Sequence, residues 1–205
     1  MPITFNCKGK GCINFLAAKN IIHKVSKKLR KNWQTVEALD VLHEAISIQP
    51  DNVKLYVEIG VCKISLGEFS EARDWLHQAL EIEPASLYAF NLIGKSFLCE
   101  KNTDFARFWL RRTLDINPKD ISANQYIARC FYEERDLLAA ENWALRTLEI
   151  DPQNVYCYNL LGLIYYENSD LDSAKDYYER ALTIHPENWT AKRMVEDIAR
   201  ELAAS

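Results

Sequence analysis

Five prolines punctuate this chain at one interval: Pro50, Pro84, Pro118, Pro152 and Pro186 stand 34 residues apart. An isoleucine lies two residues before each (Ile48, Ile82, Ile116, Ile150, Ile184). An Asn, Ser or Asp lies two residues after each (Asn52, Ser86, Asp120, Asn154, Asn188). Proline has no amide hydrogen and its ring clashes with the preceding turn, so it closes a helix. The short polar side chain that follows accepts a bond from an orphan amide and opens the next helix. A chain with this punctuation folds as stacked copies of one unit, each burying its apolar face against the next.

Counting from residue 19, the units are 19–52, 53–86, 87–120, 121–154 and 155–188. Their eighth position is always small (Ser26, Gly60, Gly94, Ala128, Gly162), and their twentieth is always alanine (Ala38, Ala72, Ala106, Ala140, Ala174). Small residues at both places let two helices cross closely. Positions four, seven, eight and eleven form one helical face in the first half, and positions 20, 24, 27 and 28 form another in the second. Each unit is thus two amphipathic helices joined by a polar turn such as Lys101-Asn102, Glu134-Arg135-Asp136 or Asn168-Ser169-Asp170. Position 23 is Val41, Trp75, Trp109, Trp143 and Tyr177. These rings flank the buried face, so they are expected to fill the seam between units rather than to stack on a ligand.

This pattern resembles the tetratricopeptide repeat (TPR) family. Its best expression is Tyr158, Leu161-Gly162, Tyr165, Ala174, Tyr178, Ala181 and Pro186, which follow the family's aromatic, Leu-Gly, Tyr, Ala, aromatic, Ala and Pro positions. The resemblance implies an all-α fold: a right-handed superhelical array of five TPR helix-turn-helix repeats plus a C-terminal capping helix. Residues 189–205 form that cap, with Glu196 where the close-packing residue would be. Residues 1–18 do not fit the repeat and read as a basic arm or a partial helix.

The formal net charge of −4 is unevenly spread: residues 1–36 hold eight of the 25 basic side chains and none of the 29 acidic ones. Lys24, Lys27, Lys28, Arg30 and Lys31 crowd the first helix and could meet an anion, an anionic membrane or the acidic body of a second copy. No apolar run is long enough to span a membrane and no secretory signal is evident, so a cytoplasmic protein, either free or peripheral to a membrane, is expected. Four of the six cysteines lie within helices without close pairing, as reduced thiols do. Cys7 and Cys12 lack the second ligand pair a structural zinc would need. There is no phosphate loop, nucleophile elbow or His-Glu-x-x-His, and neither catalysis nor a cofactor is expected.

In TPR arrays the first helices line a concave groove. Carried onto this sequence, that surface comprises Tyr88, Asn91, Lys95, Leu98 and Cys99, then Ser122, Gln125, Arg129, Tyr132 and Glu133, then Tyr156, Asn159, Leu163, Tyr166 and Glu167. Amides and tyrosines suit an extended peptide, because the former bond its backbone and the latter bury area at small entropic cost. The two-carboxylate clamp of chaperone-binding TPR proteins is absent: its positions hold His23, Lys27, Glu58, Tyr88 and Leu92, or Asn91, Lys95, Tyr126, Tyr156 and Leu160. The resemblance therefore implies a non-enzymatic adaptor binding a protein or peptide, with nucleic acid not expected as partner. The alternatives are a self-assembling scaffold of magnetosome-scaffold type, docking through its basic N-terminal region, and peripheral attachment to an anionic membrane.

Overall fold

The computed structural model describes residues 35–204. The arm at 1–18, the first helix with Lys24, Lys27, Lys28, Arg30 and Lys31, and the Cys7/Cys12 pair lie outside the described residues. Within them there are ten α-helices: α1 Thr35–Ile48, α2 Val53–Leu66, α3 Phe69–Ile82, α4 Leu87–Cys99, α5 Thr103–Ile116, α6 Ile121–Glu133, α7 Leu137–Ile150, α8 Val155–Glu167, α9 Leu171–Ile184 and α10 Trp189–Ala204. The chain divides into two compact units, Met1–Leu92 and Ile93–Ser205, the division falling inside α4.

In the first unit α1 packs on α2 and α2 on α3. Ala38, Leu42, Ala45, Leu55, Ile59 and Cys62 form its core, with Val41 and Trp75 against them. In the second unit every helix from α5 to α10 packs on its neighbour, and α6 also meets α8. That skip contact sets the first helices of successive repeats side by side.

The punctuation works as the residue chemistry requires. Asp120, Asn154 and Asn188 each accept a bond from the amide three residues on: Ala123 at 2.9 Å, Cys157 at 3.0 Å and Ala191 at 3.2 Å. Asn52 departs from the expectation: it makes no cap bond, and its Nδ2 donates to Gln49 Oε1 at 2.9 Å instead. Position four has a role that explains why it tolerates both tyrosine and asparagine. Tyr56 Oη donates to the Pro50 carbonyl at 2.8 Å, Tyr158 Oη to Pro152 at 3.2 Å, and Asn124 Nδ2 to Pro118 at 3.3 Å. A long phenol or a short amide can each satisfy the carbonyl that the helix end exposes.

The turn inside each described repeat contains one residue in the left-handed region: Gly67 (φ 80°), Lys101 (58°), Arg135 (65°) and Ser169 (61°). Only the first is glycine, so the other three carry a steric cost that the surrounding caps offset. Asn102, Asp136 and Asp170 then cap the second helices through Phe105, Ala139 and Ser173 amides.

Close approach at position eight is matched by the size of position 24. A Cβ on Gly60 would sit 2.8 Å from Leu76, one on Gly94 2.7 Å from Leu110, and one on Gly162 2.8 Å from the Tyr178 ring. In the remaining described pair both residues are alanine, Ala128 and Ala144, and both are fully buried. A glycine on one helix faces a large residue, or two alanines meet, and neither arrangement overfills the crossing. Trp75, Trp109, Trp143 and Tyr177 are half-buried in the seams as expected, Tyr177 stacking on Tyr165 with centroids 5.2 Å apart.

Candidate functional site

In the second unit, α6, α8 and α10 contribute to one cavity of about 260 Å³. Arg129, Tyr156, Asn159 and Leu163 line it, as the groove pattern predicts, together with Leu160, Tyr178, Thr190 and Met194. The floor follows from the packing rule above. Gly162 lets the Tyr178 ring lie against α8, and the ring is only 2 % exposed. Leu160 is equally enclosed at 3 %. The walls are apolar, and the rim carries an amide, a hydroxyl and a guanidinium.

Two amides of the expected groove are partly committed to the fold. Asn154 Nδ2 donates to Gln125 Oε1 at 3.1 Å, and Asn188 Nδ2 donates to Asn159 Oδ1 at 3.1 Å. Each helix-capping asparagine thus also grips the first helix of the previous repeat. This bond takes the carbonyl oxygens of Gln125 and Asn159, and the Asn159 side chain still lines the cavity. Arg129 is braced as well: its Nε donates to Glu133 Oε1 at 2.8 Å, and its guanidinium lies 4.8 Å from the Tyr132 ring centre.

Tyr132 and Tyr166 serve mainly to join repeats. The Tyr132 hydroxyl donates to Glu167, which Arg135 also reaches, and Tyr166 Oη donates to Glu201 Oε1 at 2.6 Å. Burial first, and then the Glu167 carboxylate, push the Tyr132 phenol up to about 12. Tyr156 is 37 % exposed and meets Tyr126 edge-on, with ring centres 6.4 Å apart. Lys95 is half-buried and does not line the cavity.

The two residues of the expected groove in the first unit part company. Tyr88 is 57 % exposed and lines a cavity of about 510 Å³ with Val53, Lys54, Val57, Glu83 and Leu87. Asn91, expected on the surface, is buried at 4 % and cannot meet a ligand as the chain stands. Tyr88, three residues earlier on the same helix face, stays exposed, so the burial is local to Asn91.

Tyr178, Thr190 and Met194 were not expected at the site. Thr190 and Met194 hold positions two and six of the repeat when the count is carried into the last helix. Reading that helix only as a cap hid them. Among the described residues no helix is long and apolar enough to cross a membrane.

A profile described as tetratricopeptide repeat matches residues 29–95, and a second with the same description matches residues 155–188. The chain is a tetratricopeptide repeat protein. Its TPR units are protein-interaction modules. No curated protein matches the chain. Among solved structures, TTC0263, a thermophilic TPR protein of Thermus thermophilus, aligns with a TM-score of 0.79 at 15% identity, covering 89% of this chain and 99% of that one. MamA from Desulfovibrio magneticus RS-1 aligns at 0.63 and 18% identity, covering 84% and 97%. The first TPR of Spaghetti (RPAP3), bound to the HSP90 peptide SRMEEVD, aligns at 0.53 and 20% identity, covering 57% and 93%. At such identities the likeness is one of fold.

Proposed function

We propose that this TPR protein is a non-enzymatic adaptor that binds an extended segment of a protein partner, with one apolar side chain of that segment entering the α6–α8–α10 cavity. The volume supports this reading: about 260 Å³ is below the range of roughly 300–1,000 Å³ typical of small-molecule sites and suits a single side chain. Leu160, Leu163, Met194 and the Tyr156 and Tyr178 rings receive that side chain. Asn159 and Arg129 at the rim meet the peptide backbone. Gln125, Tyr132 and Tyr166 hold the surface in register. Lys95 is a further contact for the same partner, and Tyr88 belongs to the first unit's own surface.

The partner is not an acidic tail held by a two-carboxylate clamp. Leu92 and Leu160 stand where that clamp has a basic side chain, and both are buried, at 7 % and 3 %. The test is selection of peptides from a random library on the intact chain, followed by fluorescence anisotropy. Binding should weaken at least tenfold in Leu163→Arg and severalfold in Asn159→Ala, with helix content unchanged. A library that yields no binder, or binders indifferent to both variants, overturns the reading.

A further inference from the structure

The second helix of the third repeat breaks a rule that the other repeats keep. At the solvent-facing position held by Phe108, they carry Asp40, Asp74, Asn142 and Asp176. At the position of Phe105, they carry Glu37, Glu71, Ala139 and Ser173. The two phenylalanines remain 55 % and 52 % exposed, for Phe105 and Phe108 respectively. Four repeats have polar or small residues there, so folding does not require these rings. Apolar side chains left at such positions mark a docking surface.

We propose that this face of α5 docks on the same face of a second copy of the chain, antiparallel about a two-fold axis through Phe108. The charge pattern identifies the partner. In such an isologous contact the rotation reverses height along the helix but keeps left and right, so a residue before Phe108 meets a residue after it on the mate that lies to the same side. The geometry works in both dimensions. At 100° and 1.5 Å per residue, Asp104 (about 40° to one side and about 6 Å before Phe108) and Arg111 (about 60° to that same side and about 4.5 Å after it) share a side, and Phe105 and Arg112 share the other.

A two-fold rotation therefore brings Asp104 over the mate's Arg111, and Arg111 over the mate's Asp104. Phe105 falls over the mate's Arg112, where a guanidinium favours an aromatic face within about 6 Å. Asp115 falls opposite Lys101 of the adjoining turn, and the two Phe108 rings meet at the centre. Asp104, Arg111, Asp115 and Lys101 thus each find an opposite charge. The surface is ready for this. Asp104 is 86 % exposed even though Arg107 Nη2 lies 2.8 Å from it. Arg112 already lies 5.0 Å from the centres of the Phe108 and Trp109 rings, stiffening the stripe. This surface shares no residue with the α6–α8–α10 cavity or with the basic N-terminal region.

A pair of single helices is at the small end of protein interfaces, below about 1,200 Å² in total, so association is read across a concentration series reaching hundreds of micromolar. Sedimentation equilibrium of the full chain should show a monomer–dimer equilibrium that weakens with added salt. Phe108→Asp installs the residue three other repeats use, so it should fold, as helix content will report, and remain monomeric. Asp104→Arg and Arg111→Asp should each weaken dimerisation at least tenfold, because each creates two like-charge contacts. The double variant should return to within a few-fold of the parent, since the rotation re-pairs the swapped charges. Three results overturn the proposal: a parent that stays monomeric throughout, a Phe108→Asp chain that associates like the parent, and a double variant no better than the singles. The second would mean assembly through another surface, residues 19–31 included.

Discussion

Tyr166 on α8 donates its hydroxyl to Glu201 on α10 at 2.6 Å, and Tyr132 on α6 donates to Glu167 on α8 in the same way. Each pair spans 35 residues, so the same latch recurs one repeat on. A phenol from one first helix holds a carboxylate on the next first helix. Arg135 shares Glu167, and α10 packs on α9.

Removing the last latch should therefore loosen the end of the array. Tyr166→Phe is expected to speed amide exchange in Trp189–Ala204 by roughly fivefold, the size of one ordinary hydrogen bond, and to leave α6 and α7 unchanged. Tyr132→Phe should have a smaller local effect, because Arg135 still reaches Glu167. Exchange read by mass spectrometry on the two variants checks the difference.

The latches also predict an alkaline limit. The Tyr132 phenol is pushed up to about 12, by burial and then by Glu167. Its folded value lies above the ordinary tyrosine value of about 10, so the folded state keeps a proton that the unfolded chain has lost. The stabilisation is complete below about pH 10 and disappears as the pH rises through about 12. Urea midpoints measured from pH 8 to 12 should fall across that window, and Tyr132→Phe should flatten the fall.

At the floor of the cavity, Gly162→Ala should cost about 1–2 kcal/mol, an overpacking penalty only partly offset by better helix propensity. The Cβ would meet three atoms of the Tyr178 ring at 2.8–2.9 Å. In a Tyr178→Ala background the same change should become neutral or stabilising, because the clash is gone. Ala128→Gly, opposite Ala144, should cost about 1 kcal/mol from propensity alone. Denaturant unfolding of the four chains separates these cases.

Thiol reactivity should be graded along the array. Cys62, Cys130 and Cys157 are buried, and desolvation pushes each up to about 12, whereas Cys99 is exposed. In a chain with Cys7 and Cys12 replaced by serine, a thiol reagent at pH 8 should label Cys99 quickly and the other three only on unfolding. Rapid labelling of a second thiol would show local opening of a first helix.

The interval of the prolines, the invariant alanines and the capping residues determined the all-helical repeat, because each acts on backbone a few residues away. The half-buried column at Trp75, Trp109, Trp143 and Tyr177 was legible for the same reason: a fixed helical angle places it beside the core. Arg129, Tyr156, Asn159 and Leu163 were placed on one groove face by the family resemblance, and the structure sets them around one cavity. What only the tertiary structure decided depends on partners far along the chain, 29 to 35 residues distant for the hydrogen-bonded pairs. It turned Asn91 inward, gave the Gln125 and Asn159 carbonyls to the capping asparagines, and committed Tyr132 and Tyr166 to glutamates. It also brought Tyr178, Thr190 and Met194 to the cavity. Local periodicity sets which way a side chain leaves its helix, but what it meets there is fixed by how closely the next repeat packs.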